Sequence, residues 1–511
     1  MKMKLLKFAV STIACNFLIL PAALAQSTDI QFDLMHTKLN CRYVGYQPSF
    51  CNMDDSRTLD ERSQMVNKIN AQLDRALKNP AKSQVFISYF SFSNKKVHTK
   101  LCELLKNNVN VRIVLDRGSE ANIDSLKTNQ ACAGADLSSA RSPLKVSYLG
   151  GLTSSPWRLH HNKFLYVNPG TNTGDASGDK VNINFSSGNL SAFGTSLHAD
   201  HWVTAVAPKD SNLIKSYQCV MEGLEKAVGK DYNYTTQLPN TQPNTPDAVH
   251  TGENDNQVAQ TYIRARENCF RRSGVSTNIE QNIARERIAP VFAPNNDNIV
   301  LNTLTSEIGR IPSNGYLYIA IQHFLNPSIG NAIVRATKKG VDVRILMDDD
   351  VVTNQGEVKG AMEFLNRLKQ QAPRLKVRYL ETNHLAGGNG QMMHNKFAIL
   401  NGKRIFSGAG QYTTAGMKNN WENFGLTQDR NLTRKFEEYF KELWDVSVDE
   451  DYVRRQQGKG ETFQELSAAD LQTLNIQNIA DFSLENGKIL GSTQPQSPII
   501  APDAYHPDFL Q

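Results

Sequence analysis

A chain that carries the same strand–helix–strand block twice is confined to folds built from two like halves. Residues 85–90 (VFISYF), a helix-patterned stretch around 97–108 and residues 111–116 (VRIVLD) form one block. Residues 317–321 (LYIAI), a helical stretch around 329–339 closed by Gly340, and residues 343–348 (VRILMD) form the other. Strand patterns that are apolar on both faces and alternate with amphipathic helices predict a largely parallel sheet covered by helices, an α/β arrangement, in each half. The echo continues downstream. Residues 159–168 (LHHNKFLYVN) match 392–401 (MMHNKFAILN), 185–191 (FSSGNLS) match 407–413 (SGAGQYT), and Asp200 stands against Glu422. His161 and His394 are 233 residues apart, whereas the later pairs Asn189/Gln411 and Asp200/Glu422 are 222 apart, so the first half holds a short insertion, expected in the turn 168–180. Each half closes on a helix-patterned stretch, 211–228 and 432–446.

What flanks the repeat sets the compartment. Lys2, Lys4 and Lys7 precede an apolar run over residues 8–20, and Ala23, Leu24 and Ala25 form a small-residue cleavage site before Gln26. Residues 1–25 therefore read as a secretory signal peptide. The run is shorter than a membrane span needs, and a secreted or periplasmic protein is expected. The remaining cysteines, Cys41, Cys51, Cys102, Cys132, Cys219 and Cys269, are an even set in an exported chain and predict disulfides, paired in sequential order. No zinc-type spacing occurs among them. The Pro/Asn/Thr-rich stretch 237–257 reads as a linker between a first half, 26–236, and a second, 258–455, with 456–511 as a C-terminal extension.

The chemistry sits at the echoed residues. His161 with Lys163, and His394 with Lys396, stand two residues apart, so an extended strand places each pair on one face. Each pair is followed by a small-residue turn with an amide, Asn189 or Gln411, and then by a carboxylate, Asp200 or Glu422. Two imidazoles, two ammoniums, two amides and two acids suit a phosphate ester: one histidine attacks phosphorus, the other protonates the departing oxygen, and the cations hold the non-bridging oxygens. This doubled pattern resembles the phospholipase D superfamily, whose signature is HxKxxxxD followed by a GSxN-type turn and an acid. The resemblance implies two α/β sandwich halves related by a pseudo-twofold, with the active site at their interface and a metal-independent displacement through a phosphohistidine, so no cofactor and no metal site are expected. It assigns catalysis to His161, Lys163, His394, Lys396, Asp200 and Glu422, with His161 attacking and His394 as acid and base, and phosphate binding to Asn189, Gln411 and Ser187. The signature Asp is replaced in both halves, by Asn168 and Asn401, and the second turn has Ala409 where Ser is usual.

Three functions fit such a site: hydrolysis of glycerophospholipids at a membrane surface to phosphatidate and a head-group alcohol, cleavage of DNA or RNA, and phosphate binding without turnover. Charge favours lipid over nucleic acid, because the formal +6 falls to +3 once the three leader lysines are set aside, too little for a basic trench. A monomer without an obligate protein partner is expected. Other features have plainer readings. His160 is the register rival of His161. His198, His201, His323 and His384 read as satisfied histidines, Asp116 and Asp348 as loop caps, and Asp348–Asp350 as a solvated turn rather than a cation site. Trp157, Trp202 and Trp421 read as core. Residues 386–390 (AGGNG) read equally as a lid or a turn.

Overall fold

The computed structural model describes residues 30–37, 56–116, 126, 129–137, 139, 141–150, 158–170, 180–191, 194–195, 198–228, 255–353, 360–380, 392–457, 483–485 and 488–490. The expected leader, Cys41, Cys51, Trp157, His384, the stretch 386–390, most of the linker and most of the insertion turn lie outside these residues.

Fourteen strands make two seven-stranded sheets. The first holds β1 (Gln31–His36), β2 (Gln84–Tyr89), β3 (Asn110–Asp116), β4 (Leu144–Leu149), β5 (Lys163–Asn168), β6 (Lys180–Ser186) and β7 (His201–Pro208). The second holds β8 (Ile288–Ala293), β9 (Tyr316–Ile321), β10 (Asp342–Asp348), β11 (Lys376–Leu380), β12 (Lys396–Leu400), β13 (Arg404–Gly408) and β14 (Glu422–Thr427). Their orders, β1-β7-β6-β5-β2-β3-β4 and β8-β14-β13-β12-β9-β10-β11, are the same order strand for strand. The expectation of a largely parallel sheet is corrected. In the first sheet β3 is parallel to both β2 and β4, while β2, β5, β6, β7 and β1 pair antiparallel in succession, and the second sheet repeats this. Parallel neighbours need a crossover, here from β2 to β3 to β4 and from β9 to β10 to β11, and the strands that follow pair antiparallel.

The helices begin where short polar side chains take up free N–H groups. Asn94 accepts from the amides of Lys96 and Val97 ahead of Lys95–Lys106, and Asn326 accepts from Ser328 and Ile329 ahead of Pro327–Lys338, with Pro327 in the first turn. Ser211 and Asp429 cap the closing helices Asn212–Ala227 and Arg430–Val446. Side chains alternate across each strand. Val85, Ile87, Ile113 and Leu115 pack under the first half's outer helices, while Phe86, Phe164 and Tyr166 turn the other way. There they join Phe397, Ile399 and Ile405 of the second sheet and Tyr217, Phe436, Tyr439 and Phe440 of the closing helices in one apolar layer common to both halves. Each such large side chain contributes about 1.5–3 kcal/mol on burial, so the seam is a core rather than a surface contact.

Cys102–Cys132 and Cys219–Cys269 are disulfides, as sequential pairing predicts. The second joins the closing helix Asn212–Ala227 to the helix Asp255–Ser273, whose start falls within the expected linker. No helix among the described residues is long and apolar enough to cross a membrane. Because the Cys219–Cys269 bridge closes a 50-residue loop, Cys219→Ser is expected to lower unfolding free energy by about 4 kcal/mol. Chemical denaturation of oxidised protein measures this; an unchanged midpoint would show that the bridge does not hold the two helices together.

Candidate active site

The backbones that approach the two HxK strands leave their own sheets and pair across the seam. Trp421 N–H donates to the Leu159 carbonyl at 3.0 Å and His161 N–H to the Trp421 carbonyl at 3.0 Å. In the mirror position Ala199 N–H donates to the Met392 carbonyl at 2.7 Å and His394 N–H to the Ala199 carbonyl at 3.0 Å. The histidines therefore lie just before β5 and β12 rather than inside them, since their backbone partners belong to the other half. Each lysine still falls on its histidine's side: Lys163 Nζ is 2.9 Å from His161 Nε2, and Lys396 Nζ donates to the His394 carbonyl at 2.6 Å.

This stitch fixes which acid serves which histidine. Glu422 Oε2 lies 2.9 Å from His161 Nδ1, and Asp200 Oδ1 lies 2.9 Å from His394 Nδ1. Each half supplies the carboxylate for the other half's imidazole. Nothing in a single sequence distinguishes this exchange from pairing within a half. With Nδ1–H on a carboxylate, Nε2 is left for chemistry. The strand-end aspartates hold the same segments from below: Asp116 Oδ2 accepts His160 N–H at 2.8 Å and Asp348 Oδ2 accepts Met393 N–H at 2.6 Å. They are loop caps, and the loops they cap carry the histidines.

The remaining candidates divide. Ser187 Oγ donates to Asp200 Oδ1 at 2.7 Å, so its hydroxyl supports the acid. Gln411 is engaged with Gln322 and with the backbone of His323. Asn189 Oδ1 is buried without a hydrogen-bond partner. His160 bonds Ser88 at 3.0 Å, and His201 bonds Asn395 at 3.0 Å, as buried core histidines. His198 sits with its ring 5.5 Å from that of His394, and Trp202 and Trp421 are fully buried. The replaced signature positions are remote from phosphorus chemistry. Asn168 ends β5 and Asn401 directly follows β12, at the opposite ends from the lysines that open these strands. Asn401 (φ +54°) and Gly402 (φ +61°) form the left-handed Asn-Gly turn that joins β12 to β13.

Burial dominates the electrostatics. His161 and His394 are held well below the ordinary imidazole range by burial first and then by Lys163 and Lys396. Lys163 is lowered to about 7 by burial, against the pull of Glu422, Asp200 and Asp116, and Lys396 is lowered well below its usual value for the same reason. Glu422 is pushed up to about 8 and Asp200 is also raised, both by burial, with Lys163 and Lys396 opposing. The cluster resists carrying separate charges until an anion joins it. Among the described residues, two groups bring possible metal-ligand atoms within 4.8 Å of one another, His198–Asp200–His394 and Asp348–Asp349–Asp350. The first is part of the histidine site, and in the second Asp348 is committed to the backbone of Met393 and Asp350.

Known proteins resemble parts of this chain. Residues 310–444 match the family model described as cardiolipin synthase, PLD-like domain. The mitochondrial cardiolipin hydrolase of Danio rerio is 30% identical over 131 residues, which is 26% of this chain and 52% of that protein. The chain thus spans about half the length of the curated relatives it matches. Among solved structures, the phospholipase D family member NUC of Salmonella typhimurium aligns at 21% identity and TM-score 0.26, over 32% of this chain and 96% of its own. The phosphatidylserine synthase of Haemophilus influenzae aligns at 11% identity and TM-score 0.49, over 80% and 92%. The matched domain lies over the second half and the same HxK site is built in both, which together support a phospholipase D superfamily protein.

Proposed function

We propose that the protein is an exported phospholipase D-type phosphodiesterase that hydrolyses glycerophospholipids to phosphatidate and a head-group alcohol through a phosphohistidine on His161. The observation that carries this reading is the pair of imidazoles at one seam, each with Nδ1 on the other half's carboxylate. The names of the matched family and relatives, cardiolipin synthase and cardiolipin hydrolase, support a glycerophospholipid over a nucleic acid. The two disulfides and the leader-like residues 1–25 support export.

The two histidines differ in a way that divides the labour. With Nδ1–H on Glu422, His161 Nε2 accepts from Lys163, so this nitrogen carries the lone pair that a nucleophile needs. Lys396 bonds the His394 backbone instead and leaves that ring nitrogen for a proton. Attack by His161 Nε2 forms the P–N bond as the P–O bond to the head group breaks, and the His394 proton goes to the departing oxygen. Water then gives a proton back to His394 and attacks phosphorus; the P–N bond breaks, its electron pair returns to His161, and phosphatidate leaves. Lys163 and Lys396 hold the non-bridging oxygens, and the substrate's negative charge raises the proton affinity of His394 when the acid is needed.

Purified protein with EDTA is expected to release head-group alcohol from mixed phosphatidylglycerol/phosphatidylcholine vesicles and to leave plasmid DNA intact. Nicking without lipid turnover would overturn the lipid reading in favour of a nuclease. On bis(4-nitrophenyl) phosphate, whose leaving group needs no acid, His394→Ala is expected to retain a stoichiometric burst of nitrophenolate with at least about a hundredfold loss of steady-state rate. His161→Ala is expected to lose the burst as well; rapid-mixing absorbance reads both, and the opposite pattern reverses the assigned roles.

The site also sets a pH dependence. Lys163 is charged below about 7 and neutral above it in the free protein, and a bound oxyanion restores its charge. Tungstate affinity is therefore expected to weaken by about tenfold or more between pH 6 and pH 8.5, with proton uptake on binding at the upper pH. Calorimetry in buffers of different ionisation enthalpy measures this, and pH-independent affinity would contradict it.

A further inference from the structure

The pseudo-twofold is broken at the walls of the cleft. Tyr89 pairs with Lys163 and Ile321 with Lys396, so the next residues, Phe90 and Gln322, are equivalent. Phe90 lays its ring 5.3 Å from the His161 ring, with Lys163 Nζ 5.6 Å from its centroid. That wall is aromatic and offers no hydrogen-bond donor. On the other wall the amides form a chain whose direction the backbone dictates. His323 N–H donates at 3.0 Å to Gln411, so that atom is the Gln411 carbonyl oxygen. Gln411 Nε2 must then donate to Gln322 Oε1, at 2.6 Å. Gln322 Nε2 comes last, with the Met392 thioether at 3.4 Å as its acceptor. A thioether is a weak acceptor, and Gln322 is only 6% exposed, so a buried amide donor beside the His394 approach segment is poorly used.

We propose that Gln322 is a specificity-determining residue that donates to a hydroxyl oxygen of the leaving head group, so that the site selects phospholipids with a hydroxyl-bearing head group over those with a quaternary ammonium. This rests on the phospholipase reading above. In-line attack from His161 sends the leaving oxygen toward His394, the half whose wall holds Gln322 and Gln411. A quaternary ammonium has no hydrogen to donate and no oxygen to accept, and is recognised by aromatic faces. The aromatic face of this site, Phe90, lies on the His161 side with Lys163 over it. A polyol replaces the sulfur with an oxygen acceptor for Gln322 Nε2.

The test is kcat/KM for phosphatidylglycerol and phosphatidylcholine in the same detergent micelles, with wild type, Gln322→Leu and Gln322→Asn. Wild type is expected to prefer phosphatidylglycerol by about tenfold or more, the effect of one buried donor gaining or lacking its acceptor. Gln322→Leu is expected to bring the ratio below about three, and Gln322→Asn to restore part of it, with thermal melting confirming that each variant is folded. Equal rates on both lipids by wild type, or a ratio unmoved in Gln322→Leu, overturns the proposal while leaving the phospholipase reading intact. Silence on both lipids with nicking of plasmid overturns both.

Discussion

The exchange of carboxylates across the seam is the constraint on which the rest depends. Glu422 reaches His161 and Asp200 reaches His394 because residues 159–161 and 392–394 are hydrogen-bonded to the other half's backbone one residue before each acid. Either half alone would keep its histidine and lysine and lose the group that sets the histidine's tautomer. The apolar layer common to both sheets is therefore part of the chemistry, since it holds the two stitches in register. Thr37 extends the same support from β1: its backbone N–H donates to the Asp200 carbonyl at 3.1 Å, and its hydroxyl accepts Asp200 N–H at 2.9 Å.

Burying two lysines, two histidines and two carboxylates together is costly unless each polar group has a partner. The fold answers with strand ends. Asp116 and Asp348 close parallel strands at the carboxyl edge, where they accept backbone N–H groups of the histidine segments and pull on the charges of Lys163 and Lys396. A methyl group on Gly188 would lie 2.9 Å from Asp200 Cγ, and one on Gly410 would lie 3.1 Å from Glu422 Cδ. The rings of Trp202 and Phe424 come closer still, so the glycines of the two turns leave room for an aromatic ring and an acid together.

How much of this was legible beforehand follows from what is local. The repeated strands, the capped helices around 95–106 and 327–338, and the HxK pairs are short-range patterns, and they fall where periodicity and spacing place them. The antiparallel return of β5 and β12 depends on pairings between residues about 75–85 apart, and the trans pairing of the acids and the position of the histidines outside their strands on contacts between residues about 190–260 apart. No periodicity encodes those. Asn168 and Asn401 look like damage to a catalytic motif in sequence, whereas in space Asn168 ends β5 and Asn401, just past β12, supplies the left-handed turn for which Asn is suited. Ser187 reads as a phosphate ligand because it sits in the turn, but a carboxylate 2.7 Å away claims its hydroxyl.

The departures between halves also compensate in pairs. The shorter Asp200 stands with Ser187, whose hydroxyl fills the space beside it and stabilises its charge. The longer Glu422 stands with Ala409 at the matching position and takes its second support from Asn420 Nδ2, at 3.3 Å. Both acids reach their histidines at the same 2.9 Å. The second-half counterpart of His198 is Asn420, so one acid is flanked by an imidazole beside His394 and the other by an amide beside His161. Two sites held to one geometry but furnished with different neighbours are what a two-step displacement requires, because the nucleophile must keep a lone pair while its partner gains and loses a proton. The twofold supplies the positions, and on the proposed reading its local violations supply the direction of the reaction.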